Sequence, residues 1–456
     1  MTLLEAILPL ARQVLEELER TPRPSTKVDP GNWVRAPDDS FRLQLRVEDS
    51  GRDAQMTGAI FIAIGSPQGP KAIDALLHEP RLQSRLGKLV GPANLFQMLC
   101  APAYVLQGVL RRVATSPLVD LTEKASAAIE AEIAFRTTES APVLYLAPLS
   151  GVDLEAGPVS VGSGMTIERM TDAEISVCIQ NGFLGHSPFM SAGIFHVRDY
   201  CAIRITSVQP VIIHEGSAAS PTPNPHKDVD EEARAEIQNV LLALRLLKRG
   251  DVSVAGVLVS CPPIVDGWAF HPGQVLEHRD RQVLTAGDAA ELASLVELAR
   301  NTRRDRSLAV AARRFGFALE RHRPEDRLLD LAIAGEALFL QNTQTESAHK
   351  FAERGALLVE TAPAARRALF EFLKRIYGVR SKLAHGNEVS TAAYRDRRGV
   401  QTTPEAFTRE FEDVIRAALR AALEAKAGGR WPPDWEAWLF GVDADATAGV
   451  LEPDAD

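Results

Sequence analysis

Apolar positions in the first 20 residues, MTLLEAILPLARQVLEELER, recur at helical spacing and predict an amphipathic helix. Residues 21–32 are rich in Pro and polar side chains and predict a loop. Two runs then read as strands: Phe41–Val47, which alternates, and Ala59–Ile64, which is continuously apolar. Helical periods follow over 70–86, 93–113 and 119–136, and Val143–Leu149 is strand-like. Glycines with alternating Val and Ile between Gly151 and Met170 predict short strands and turns, and Tyr200–Val208 predicts another strand. Segment 216–227, with three Pro, reads as an exposed loop. From Asp228 the pattern predicts one helix, acidic at its start, basic at its end and stopped by Gly250. Val252–Ser260 is a further strand.

Beyond about residue 287 strand patterns give way to helical ones, in blocks at 288–302, 306–322, 325–341, 346–359, 363–383 and 404–426. In LLDLAIAGEALFL (Leu328–Leu340) apolar residues cover most of the helix surface, which predicts a central, buried helix. The fold class expected is therefore α+β. A mixed α/β region over 1–280, divisible near residue 140, precedes an all-α bundle over 287–428. Residues 441–456 are acidic, poor in large apolar side chains, and expected to be disordered.

Composition narrows the function. With 456 residues, 45% of them hydrophobic, the chain can bury a core without disulfide or metal staples. No apolar run is long enough to span a membrane, and Glu5 interrupts any signal-peptide pattern. The cysteines (Cys100, Cys178, Cys201, Cys261) are far apart, so reduced thiols in a cytoplasmic protein are expected, with no zinc site. A net charge of −9 argues against a surface that coats nucleic acid. That average hides an asymmetry: residues 300–398 hold 20 basic and 12 acidic side chains, a local +8 against −17 elsewhere. Most of the basic residues are arginines, whose forked guanidinium matches phosphate oxygens. Solvated helix faces paired to nearby Glu and Asp are the competing reading.

Within this basic region, Ile376–Gly386 reads IYGVRSKLAHG. The segment resembles the HEPN superfamily of helical RNases and nucleotide-binding domains, and most closely its Apea-like branch. There the last core helix ends in a pattern like Y-x-x-R-S-x-x-x-H-G, matched here by Tyr377, Arg380, Ser381, His385 and Gly386. Upstream, Arg314-Phe315 leads into Asp326, Asp330, Leu331, Ile333, Ala334, Glu336, Ala337 and Leu338, similar to the branch's D-x-x-x-D-L-x-I-A-x-E-A-L helix. Gly335 departs from the pattern, where the branch carries a larger apolar residue; a glycine inside a helix implies close packing. The resemblance covers about 300–425.

The resemblance implies a metal-independent endoribonuclease without a cofactor, acting as a toxin or antiphage-defence effector, with the α/β region as sensor or regulator. RNA cleavage through the neighbouring 2′-OH needs a proton acceptor, a proton donor and charge stabilisation. His385 would supply acid or base and Arg380 would clamp the phosphate, with Ser381 and Glu336 in support. Arg313, Arg314 and Lys382 would contact RNA. The family arrangement sets two Arg–His pairs face to face, which implies a homodimer. On a continuous helix Arg380 and His385 would lie about 140° apart, so Gly386 is expected to end the helix near His385. Alternative readings are a non-catalytic module that binds nucleotide or RNA, a structural dimerisation domain, and a plain helix C-terminus whose cations complement the dipole. Glu336 reads equally as one half of a structural ion pair.

Weaker signals fall away. Gly65–Lys71 fails the phosphate-loop spacing, and Pro70 lacks the N–H a cradle would use. Gly162-Ser163-Gly164 reads as a turn, and His186, His196 and His214 lack metal-ligand spacing. Trp431, Trp435 and Trp438 fit one packed helix face better than a base-stacking set.

Overall fold

In a computed structural model of the chain, residues 1–440 are described apart from 21–32, 36–39, 44–48, 92–97, 163, 173, 176–177, 179–193, 197–199, 211, 215–226, 255, 262–264, 273–280, 301, 303–304 and 342–346. In chain order the elements are α1 (Leu3–Arg20), β1 (Trp33–Arg35), β2 (Ser40–Leu43), α2 (Asp49–Gly65), α3 (Gly69–Leu77), β3 (Leu89–Gly91), β4 (Met98–Leu99), α4 (Pro102–Thr115) and α5 (Leu121–Thr137). There follow β5 (Ser140–Ser150), β6 (Val152–Leu154), β7 (Val159–Gly162), β8 (Met165–Arg169), β9 (Ile194–His196), β10 (Cys201–Pro210), β11 (Ile212–His214), α6 (Lys227–Leu247), β12 (Ser253–Val254), β13 (Gly256–Cys261), β14 (Val265–Pro272) and β15 (Gln282–Leu284). The remainder is helical: α7 (Ala289–Arg300), α8 (Arg306–Leu319), α9 (Pro324–Phe339), α10 (Ser347–Val359), α11 (Pro363–Ala384), α12 (Pro404–Ala427) and α13 (Trp435–Phe440). The fold is α+β, and no helix among the described residues is long and apolar enough to cross a membrane.

Two compact units divide the chain, each discontinuous in sequence: Met1–Pro148 with Glu168–Arg234 and Ala255–Val275, and Leu149–Ile167 with Ala235–Val254 and Leu276–Asp456. In the first, α1 to α5 share one apolar core built from Ile7, Leu10, Ile60, Leu76, Leu106, Val109 and Ile133. Its strands hydrogen-bond in the order β14-β13-β5-β10, with β13 antiparallel to both β14 and β5. The carboxylate of Glu132, buried in this unit, accepts from Arg136 Nε at 2.7 Å and Arg112 Nε at 3.0 Å. Cys100, Cys178 and Cys201 are buried free thiols, and burial pushes that of Cys178 up to about 12.

Ala59–Ile64 corrects the strand expected there. It forms the last part of α2, burying Met56, Ala59, Ile60 and Ala63 at helical spacing and exposing Phe61 and Ile62. A short apolar run fits a strand or a helix, and the preceding turns decided for the helix. The helix expected over 93–113 begins only at Pro102, after the two-residue strand β4. That expected over 70–86 stops at Leu77 and is followed by a single 3-10 turn. Strand β14 was not anticipated. The loop expected at 21–32, most of that at 216–227, the end of the strand expected to Val47, and 441–456 lie outside the described residues.

In the second unit the helices of the basic region follow their sequence periods. Asp305 caps α8 by accepting from the amides of Ser307 and Leu308, and Pro324, Pro363 and Pro404 open α9, α11 and α12, where a missing N–H costs nothing. Helix α9 is the axis and packs on α8, α10, α11 and α12. Buried Arg245 on α6 donates to the Val252 carbonyl and to Glu320, each at 3.0 Å, and its own carbonyl accepts from Arg416 Nε at 2.9 Å.

Gly335 explains how α9 sits so deep. A Cβ placed there would lie 2.8 Å from Phe351 Cε2 and 3.2 Å from Ile415 Cδ1. Gly335→Ala should therefore destabilise the protein by about 1–3 kcal/mol through overpacking, despite alanine's better helix propensity. Gly378→Ala, on the open face of α11, should stabilise it by up to about 1 kcal/mol. Chemical denaturation of both variants checks the contrast in sign.

Candidate functional site

Helix α11 buries Leu369, Phe372, Leu373, Ile376 and Val379 and carries Arg380 just before its last turn, which holds Ser381 and Lys382. It ends at Ala384, with His385 as the capping residue (φ −92°, ψ 7°) and Gly386 left-handed (φ +69°). The amide of Asn387 donates to the Lys382 carbonyl at 2.9 Å and that of Gly386 to the Leu383 carbonyl at 3.0 Å. This paired 6→1 and 5→2 closure leaves His385 just past the regular helix. Its imidazole is exposed.

Arg380 is placed differently. Its Nη2 lies 2.8 Å from Glu336 Oε1 and 3.1 Å from Oε2, and its guanidinium stands 5.7 Å from the centre of the Tyr377 ring. Tyr377 in turn lies against Phe351, at 5.4 Å between ring centres. Burial pushes the Glu336 carboxyl above the ordinary carboxylate value, and Arg380 offsets this only in part. Among the described residues no hydrogen bond or ion pair joins Arg380 to His385. Ser381 is half-buried beside Arg380, and Lys382 is exposed.

The expected RNA contacts separate as well. Arg313 is exposed on α8, whereas Arg314 Nη1 donates to Asp330 Oδ1 at 2.8 Å. The other oxygen of Asp330, Oδ2, accepts from Arg321 Nε at 2.9 Å. Asp330 is 4% exposed, and its anchoring role was not read from the sequence, although an acid flanked by leucines in an apolar stretch of helix was the available signal. Other arginines are likewise held by the protein itself: Arg327 by Asp251 and Glu412, Arg375 by the Asp396 carbonyl, and Arg397 by Glu360 and Glu410. Arg306, Arg313, Arg323, Arg367, Arg398 and Lys382 have no ion-pair partner among the described residues.

Of the weaker signals, Gly162 and Gly164 both have positive φ at the β7–β8 turn, and Gly69 opens α3 directly after α2, with no strand before it. Trp431 is buried, while Trp435 and Trp438 pack edge to face at 5.9 Å with Arg354 over Trp435. His186 lies outside the described residues.

With this geometry, the candidate site consists of an exposed imidazole at a helix end and a guanidinium one turn earlier, held by a half-buried carboxylate. Comparison with protein families, curated proteins and solved structures finds no match for the chain.

Arg380→Ala should raise the Glu336 carboxyl further, because burial then acts unopposed. A carboxyl whose pKa is higher folded than unfolded stabilises the fold at low pH and loses that contribution as pH rises through the folded value. Acidification from about pH 7 to 5 should therefore favour Arg380→Ala more than wild type. The excess should vanish in the double variant Arg380→Ala/Glu336→Gln, with melting temperatures at the two pH values as the readout.

Proposed function

We propose that the second unit carries a metal-independent endoribonuclease of the HEPN type, in which Arg380 and His385 act on RNA. The observation that carries this reading is the helix end. The closure at Gly386 leaves an exposed imidazole beyond the last turn, and Glu336 sets the guanidinium of Arg380 a turn before it. In this reading His385 takes the proton of the 2′-OH or gives one to the departing 5′ oxygen, and Arg380 balances charge on the phosphorane. Each group serves a step that the other cannot, since imidazole exchanges protons near neutral pH and guanidinium does not.

In this reading a second copy completes the site in a homodimer, as the resemblance implies. The rest of the chain then acts as sensor or regulator of a cytoplasmic defence or toxin nuclease. A second reading, a non-cleaving RNA- or nucleotide-binding module, is favoured by the same Glu336 pair, which occupies the guanidinium that cleavage would use.

Purified wild type should cut RNA in the presence of EDTA. His385→Ala should lose at least about 100-fold in rate, the usual scale of acid–base catalysis. Arg380→Ala should lose about 100- to 1,000-fold, the scale of losing one charge-stabilising donor. Unchanged cleavage by His385→Ala would defeat the nuclease reading. RNA binding without cleavage, weakened by Arg380→Ala, would establish the binding module instead.

A further inference from the structure

The outer face of α8 combines cations and an aromatic ring in a way that the cleavage chemistry does not use. Arg306, Arg313 and Phe317 fall within about 40° of one another around the helix, spaced along it by about 10 Å and 6 Å. Arg306 and Arg313 are exposed and have no ion-pair partner among the described residues. Phe317 is 40% exposed, whereas its neighbour Phe315 is fully buried. Among the described residues of the second unit it is the one Phe, Tyr or Trp ring classed as exposed.

The surroundings of the ring are fixed. Arg314 stands 6.0 Å from its centre and is itself tethered by Asp330. The acids that flank the helix are both paired, Asp305 with Lys426 at 3.1 Å and Glu320 with the buried Arg245 at 3.0 Å. The face thus keeps its positive charge and presents an apolar ring to solvent. Phosphates complement the arginines, and an unstacked base complements the ring. A duplex hides its base faces, and an acidic protein segment would leave the ring unused.

We propose that this face of α8 is a track for single-stranded RNA, with Arg306 and Arg313 holding phosphates and Phe317 stacking one base. The proposal takes RNA as the ligand from the reading above and adds a binding face on a helix other than the one bearing Arg380 and His385.

The test uses the full chain carrying His385→Ala, so that the probe stays intact. The probe is a fluorescein-labelled single-stranded oligo(U) of about 15 nucleotides, followed by anisotropy. Duplex RNA and inorganic polyphosphate serve as unlabelled competitors. Phe317→Ala should weaken oligo(U) binding about 10-fold, within the range for loss of one base stack, and leave polyphosphate competition unchanged. Phe317→Trp should bind at least as tightly as the parent. Arg306→Ala and Arg313→Ala should each weaken binding and flatten its salt dependence by about 0.7 in log–log slope.

Binding by Phe317→Ala equal to the parent, equal loss of polyphosphate affinity, stronger competition by duplex than by single strand, or no binding by the parent would each overturn the track. If wild type never cuts RNA yet Phe317→Ala weakens binding, the track stands and the nuclease reading falls. If cleavage depends on Arg380 and His385 but Phe317→Ala binds normally, the track alone falls.

Discussion

The second unit depends on a missing side chain. Helix α9 can serve as its axis because Gly335 lets the Phe351 ring lie directly on the α9 backbone. From that seat the ring meets Phe339, Tyr377 and Phe411, on α9, α11 and α12, at 5.2, 5.4 and 6.5 Å between centres. Tyr377 then underlies Arg380, and Glu336, the residue after Gly335, supplies the carboxylate that holds it. A packed interior transmits displacements of a few tenths of an ångström, so one close approach sets both the helix arrangement and the geometry of the candidate site.

The charge of the bundle has two uses. A basic excess on helices suggests an outward phosphate surface, but many of the arginines turn inward or along the surface to carboxylates and carbonyls. Asp330 alone receives two of them. Such ties are favourable only when complete, since a buried carboxylate left without its cation retains the cost of desolvation. Arg314, Arg321 and Arg327 therefore serve the fold, and among the described residues fewer cations lack an ion-pair partner than the sequence count implies.

The candidate site shows the same economy. The helix closure at Gly386 satisfies the last carbonyls of α11 through backbone amides alone. His385 is consequently not needed as a capping side chain and stands exposed. Arg380, by contrast, is held, and its partner Glu336 is a carboxylate that burial makes easier to protonate. The helix end thus leaves one polar side chain exposed beyond the last turn and ties the other to a neighbouring helix.

Local chemistry was legible in the sequence where one segment decides its own structure. The helices between residues 289 and 427, the central position of α9, the close packing at Gly335 and the helix end at Gly386 all follow from short-range pattern and backbone stereochemistry. Ala59–Ile64 was not legible, because a run that is apolar on every side suits a strand or a helix until its neighbours show which side faces water. The pairing of Arg380 with Glu336, 44 positions earlier, was among the readings the sequence allowed, but the sequence could not say which arginines were spent on Asp330 or that Phe317 stays exposed while Phe315 is buried. Those outcomes rest on contacts between helices far apart in the chain. Only tertiary packing decides them, because a side chain's partners, unlike its helix, are not encoded within one turn of itself.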